Sequence, residues 1–182
     1  MGVYCRKLGF TPNFMTGVSL VCAIGSGIFF WMSDMILGVV FMLLTSLADV
    51  LDGATARAGN MGTDFGGILD HVSDRYGEFF ILAGIAVSGA VHPLWAIFAL
   101  FGMLIASYTR AAAESIGRLP TCAVGIVGRL EKFIIIMAGA MLEHFYPDKN
   151  FLTYALIVVG VSSVITSIQR LIYAKKELKI RQ

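Results

Sequence analysis

Five carboxylates stand at helical spacing within one apolar region: Asp49, Asp52, Asp70, Asp74 and Glu78. Asp49 and Asp52 are three residues apart and Asp70 and Asp74 four apart, so each pair shares a helix face. An acidic side chain inside a bilayer costs about 2.5–3.5 kcal/mol on insertion scales, so several together persist only when something neutralises them. Oxygen ligands of this kind suit Mg²⁺, Mn²⁺ or Ca²⁺; a Zn²⁺ site would call for His and Cys. Four carboxylates exceed what one Mg²⁺ usually takes, and two ions bridged by shared carboxylates handle phosphoryl displacement. Gly53 and Ala56 on one helix and Gly66 on the next leave flat surface for a bulky group. Arg57 sits where a diphosphate on the metals would need a counter-charge.

The elements that must position these residues are membrane helices. The chain has 182 residues, 57% hydrophobic and 14% charged, with mean hydropathy +0.79, well beyond a soluble domain. Six apolar stretches reach the roughly 20 residues that a hydrocarbon core requires. They lie near 13–32, 36–57, 64–88, 93–116, 123–143 and 151–173, predicting a single six-helix membrane domain over residues 1–182. Thr11-Pro12 opens the first, and breaks fall at Ser33-Asp34, Ala58–Asn60, His92-Pro93, Gly117–Pro120 and Tyr146–Asp148. No cleavable signal peptide is evident, and nothing in the charge pattern points to nucleic acid. Cys5, Cys22 and Cys122 read as small apolar fillers.

Charge gives the orientation. With both termini on one side, thirteen of the fourteen Lys and Arg fall on that side and only Lys149 on the other, which makes both termini cytoplasmic. Counting inward at 1.5 Å per residue puts Asp52 and Asp49 about 8 and 12 Å deep, and Asp70 and Asp74 about 9 and 15 Å. The two pairs are therefore expected to meet at one level of the cytoplasmic half. Glu78, one turn beyond Asp74, reads as a supporting or packing residue. His71 points about 100° round the helix from Asp70 and reads as packing or acceptor-facing.

Written out, residues 49–74 are D-x2-D-G-x2-A-R-x8-G-x3-D-x3-D. This pattern resembles the signature of the CDP-alcohol phosphotransferase family at every fixed position, and the six-helix layout resembles that family's fold over nearly the whole chain. The resemblance implies a membrane enzyme, a phospholipid synthase, that moves a phosphatidyl-type group from a CDP-linked donor to an alcohol and releases CMP. It implies that Asp49, Asp52, Asp70 and Asp74 hold two divalent ions, Mg²⁺ or Mn²⁺, and that Asp74 is also the general base. It places Gly53, Ala56, Arg57 and Gly66 at the CDP site, with Asn13 of Thr11-Pro12-Asn13 as a further nucleotide candidate. A homodimer is the family's habit.

The acceptor follows from the neighbouring residues. His71 and Arg75 stand where glycerol-phosphate branches tend to carry Pro and Lys, so Asp70-x3-Asp74-Arg75 looks more like the inositol-phosphate branch. Ser107-Tyr108-Thr109-Arg110-x3-Glu114, Gly128–Lys132 and Gln169-Arg170 resemble stretches of that branch as well, although Ala112 replaces a second basic residue. Arg110, Arg129, Lys132 and Arg170 near cytoplasmic helix ends are then candidates for an acceptor phosphate, with Glu114 and Glu131 positioning them. Lys175, Lys176, Lys179 and Arg181 read as topology-setting snorkelling residues. The product expected is archaetidylinositol phosphate or, equivalent at the headgroup, phosphatidylinositol phosphate, with the archaeal lipid preferred. Glycerol 3-phosphate as acceptor and CDP-inositol as donor are the alternatives within the same chemistry. A divalent cation transporter is the alternative of another class; it would spread its acids through the membrane depth. Only ten residues precede Thr11, where the family usually carries a longer arm, so a truncated chain or the membrane half of a fusion is expected.

Overall fold

In a computed structural model, residues 11–59 and 63–181 are described, with the side chains of Pro12 and of 52–59 outside the description. The described residues form six α-helices: α1 (Pro12–Trp31), α2 (Met35–Gly59), α3 (Asp64–Val87), α4 (Pro93–Ser115), α5 (Arg129–Phe145) and α6 (Phe151–Ile180), with a 3₁₀ turn at Pro147–Lys149. They divide into two compact units, one ending at Ala90 and the other beginning at Val91.

Local chemistry starts most helices where the sequence reading expects. Thr11 caps α1, its Oγ1 accepting from the Phe14 amide, and Pro12 occupies the first turn, where no amide is needed. Asp34 Oδ1 accepts from the Leu37 amide at the head of α2, and Thr63 Oγ1 accepts from Gly66 at the head of α3. In the second unit His92 Nδ1 accepts from Leu94 before α4. The carboxylate of Glu143, on α5, accepts from Leu152 and so satisfies an amide in the first turn of α6.

The expected fifth span needs correction: α5 begins at Arg129, not near residue 123. The run Ala-Val-Gly-Ile-Val over 123–127 is apolar, but Gly125 sits at φ +148°, a left-handed conformation that no continuing helix uses. The sixth helix, in turn, runs on to Ile180, seven residues past the apolar stretch. Among the described residues three helical stretches are long and apolar enough to cross a membrane by themselves: Asn13–Trp31, Pro93–Ser115 and Phe151–Ile180, with Met35–Leu51 a shorter apolar piece of α2. α3 misses that standard because it carries Asp64, Asp70, Asp74, Arg75 and Glu78, and α5 because it has 17 residues and opens on Arg129, Glu131 and Lys132.

The first unit is held by close approach. A Cβ at Gly84 would fall on the carbonyl of Gly27, and one at Gly27 on that of Phe80, so α1 and α3 touch backbone to backbone. One turn away Ala23 packs on Gly77. On the α2 side the Phe30 ring fills the place of a Cβ at Gly38, and Ser26 and Ser19 donate to the carbonyls of Gly38 and Thr45. Phe30, Met42, Ile81, Leu82 and Ile85 are fully buried here, while Ile28, Leu43, Leu47 and Phe79 stay exposed, as lipid-facing side chains do. The second unit repeats the device, with Gly102 against Gly160 and Gly139 against Ala155. There Thr109 and Ser167 share a buried 2.8 Å hydrogen bond between α4 and α6.

Candidate functional site

Asp49 comes from α2, and Asp70 and Asp74 from successive turns of α3. Each offers a carboxylate oxygen, and these oxygens lie within 4.8 Å of one another. All three side chains are half-buried. Asp64 to Val87 is helical throughout, so the four-residue spacing of Asp70 and Asp74 does put them on one face. Three like charges this close in a partly apolar setting repel strongly, and a hard dication relieves that repulsion while taking the oxygen ligands it prefers. The residues present therefore fit a divalent metal. The depth count, which brought Asp49 level with the α3 pair, agrees with this convergence. Asp52, Gly53, Ala56 and Arg57 lie on the helical backbone of α2, and their side chains are outside the description, as is Gly62.

The candidate nucleotide residues of α1 and α3 also meet. A methyl group at Gly66 would lie 3.0 Å from Thr63 Oγ1 and 3.2 Å from Asn13 Oδ1. The absence of a side chain at Gly66 thus lets the head of α1 and the capped start of α3 come together one turn before Asp70. Asn13 is exposed.

In the sequence Arg75 stands out only as a branch marker beside Asp74. Its Nη2 lies 3.0 Å from Glu78 Oε1 and 3.6 Å from Asp74 Oδ2. Glu78 is 1% exposed, more deeply buried than the carboxylates of Asp70 and Asp74 on the same helix. The signal was present, since Arg75 and Glu78 are three residues apart on one helix. His71 Nδ1 is 3.9 Å from Asp70 Oδ2, with its ring largely in the open.

The four candidate acceptor bases all belong to the second unit. Arg110 Nε donates to Glu114 Oε1 at 2.9 Å, and the same oxygen accepts from the Cys122 amide at 2.8 Å. Glu114 therefore positions Arg110 and at the same time ties down the segment after α4. Arg170 donates from Nη1 to the Ala106 carbonyl at 2.6 Å and from Nε to that of Val124 at 2.9 Å. Ala106 is one turn before Arg110, so Arg110 and Arg170 belong to the same end of the α4–α6 pair. Arg129 lies over the Phe133 ring, 5.1 Å from its centre, and Lys132 is only 6% exposed. Glu131 is exposed, its carboxylate turned back over Gly128 at the start of α5. Beside Arg170, burial raises the Cys122 thiol above its ordinary pKa, an effect the nearby guanidinium opposes.

Comparison with known proteins bears on this arrangement. Residues 10–170 match the family model described as CDP-alcohol phosphatidyltransferase. An archaetidylinositol phosphate synthase of Methanothermobacter thermautotrophicus is 38% identical over 165 residues, covering 91% of this chain and 82% of that one. The crystal structure of Mycobacterium tuberculosis phosphatidylinositol phosphate synthase with CDP-DAG bound superposes with a TM-score of 0.84 at 28% identity, covering 95% of this chain and 90% of that one. The same enzyme in complex with manganese and citrate gives 0.84 and 28%, over 95% and 86% of the two chains.

Proposed function

The chain belongs to the CDP-alcohol phosphatidyltransferase family, and from that membership we propose that it transfers an archaetidyl- or phosphatidyl-type group from a CDP-linked lipid to a hydroxyl of an inositol phosphate, releasing CMP. The observation that carries the reading is the convergence of Asp49, Asp70 and Asp74 within 4.8 Å. The acceptor assignment draws on the synthases it resembles and on the basic residues of the second unit.

Asp49, Asp52, Asp70 and Asp74 would hold two divalent ions, Mg²⁺ or Mn²⁺. Bound there, the ions would neutralise charge on the donor diphosphate as CMP departs. The remaining work belongs to the protein. Asn13, Gly53, Ala56, Arg57 and Gly66 seat the CDP group. Arg110, Arg129, Lys132 and Arg170 bind the acceptor phosphate. Asp74 takes the proton of that hydroxyl as its oxygen bonds to the β-phosphorus and the bond from that phosphorus to the CMP oxygen breaks. A carboxylate suits this task when the proton moves late, after the hydroxyl has become acidic. We read the whole chain as one multi-pass membrane domain, active as a homodimer, with both termini and the site toward the cytoplasm.

The test is CMP release from a CDP-lipid with a panel of acceptors, with Mg²⁺ and with EDTA. Metal-dependent CMP with inositol 1-phosphate is expected. Release only with glycerol 3-phosphate would overturn the acceptor, and no metal-dependent release with any alcohol would overturn the enzyme reading. CDP-inositol in place of the CDP-lipid tests the soluble-donor alternative in the same assay.

A further inference from the structure

Beyond its aspartates, the site holds a charge chain along α3 that the reaction as described does not use. A single nitrogen, Nη2 of Arg75, lies between two carboxylates, nearer Glu78 at 3.0 Å than Asp74 at 3.6 Å. Side-chain exposure is 27% at Arg75, 16% at Asp74 and 1% at Glu78. A carboxylate as buried as Glu78 keeps its charge only beside a cation, and Arg75 supplies one. Geometry reinforces the choice of partner. Glu78 stands three residues on, a spacing that brings side chains together, whereas Asp74 is the chain neighbour of Arg75 and lies about 100° from it round the helix.

An arginine beside an acidic metal cluster has two opposed effects. It relieves repulsion among the carboxylates when no cation is bound, and it competes with the cation when one arrives. Which effect wins depends on how firmly the guanidinium is held elsewhere. We propose that Glu78 is a positioning residue for the metal site: it holds the Arg75 guanidinium closer to itself than to Asp74, so that Asp74 remains open to the divalent ion. This rests on the metal reading above. With the anchor present, the positive charge next to the site is already matched by Glu78. With it gone, that charge falls on Asp74 and on the ion that Asp74 should bind.

The experiment measures Mn²⁺ binding to detergent-solubilised apoprotein directly, by the electron paramagnetic resonance signal of free Mn²⁺, without reference to turnover. Glu78→Gln is expected to raise the Mn²⁺ dissociation constant by about tenfold or more, the order set by a unit charge brought to bear on a dication at this range. The double variant Arg75→Gln/Glu78→Gln removes both charges and is expected to bind Mn²⁺ within about threefold of wild type, because a buried pair replaced whole leaves no orphan charge. A purely structural role for Glu78 would not be relieved by the second substitution. An unchanged constant in Glu78→Gln, with wild type binding normally, overturns the inference and leaves the metal reading standing. Wild-type protein that binds no Mn²⁺ overturns both. Should Glu78→Gln fail to fold, the double variant decides alone, and binding weakened by about tenfold or more there refutes the proposal.

Discussion

Neutralising Asp70 should make the metal-free protein more stable and abolish most of the stability it gains from metal. Asp49, Asp70 and Asp74 bring one oxygen each within 4.8 Å of the others. Two unit charges at that separation repel by about 3–4 kcal/mol at an effective dielectric near 20. Asp70 keeps 33% of its side-chain surface, and water at that edge screens it, so about half that value per pair is reasonable. Asp70→Asn removes two such pairs, about 3 kcal/mol, and gives up attractions such as the exposed His71 contact, worth under about 1 kcal/mol. The balance of about 2 kcal/mol corresponds to a melting temperature about 4–8 °C higher in EDTA for a chain of this length. Metal removes most of that advantage. One ion at a hundred times its dissociation constant stabilises the folded state by about 2.7 kcal/mol, and Asn at position 70 forfeits much of that. The assay is thermal unfolding in detergent followed by tryptophan emission. The chain has two tryptophans, and Trp31 belongs to the unit that carries the site, so a Trp95→Phe background isolates it. A variant that melts below wild type in EDTA, or that gains as much from Mg²⁺ as wild type does, would refute the electrostatic reasoning.

Four further outcomes are expected. Asp74→Asn should abolish turnover while binding of a CDP-lipid analogue, followed by calorimetry, largely persists; loss of binding would make Asp74 chiefly a ligand. Gly84→Ala should destabilise the first unit by about 1–3 kcal/mol, because its methyl group meets the Gly27 carbonyl and forces α1 from α3. Gly67→Ala, with open space around it, should be neutral or stabilising by up to about 1 kcal/mol in the same melt. Arg170→Gln should lower the melting transition seen by Trp95 by an amount equivalent to about 2–4 kcal/mol, since two charge-assisted bonds to the Ala106 and Val124 carbonyls are lost.

Much of the fold and the core of the site were legible, and for identifiable reasons. Thr11-Pro12 and His92-Pro93 are local signals, and each starts a helix because the cap forms within three residues. The meeting of Asp49 with Asp70 and Asp74 followed from helical rise counted from a short connection. The start of α5 escaped because hydropathy counts side chains and says nothing of φ at Gly125. The carbonyl partners of Arg170 escaped because they are 46 and 64 residues away, a pairing that no local pattern encodes. Arg75 was visible but misjudged: its three-residue spacing to Glu78 was readable, while the burial that makes the pair matter was not.

The uneven apolarity of the helices carries a consequence for how the protein is made. α3 bears five charged residues, Asp64, Asp70, Asp74, Arg75 and Glu78, and offered alone to a translocon it should be rejected, at about 2.5–3.5 kcal/mol for each charge near the bilayer centre. α1, by contrast, qualifies unaided and leaves the ribosome before α3. The glycine face on which α3 closes against α1 is thus also a receptor awaiting a reluctant segment. The order of synthesis, a self-sufficient helix ahead of a dependent one, becomes part of the information the gene must preserve. Moving α1 to the end of the chain would leave every contact of the finished protein drawable on paper and no route by which α3 could enter the membrane to make them.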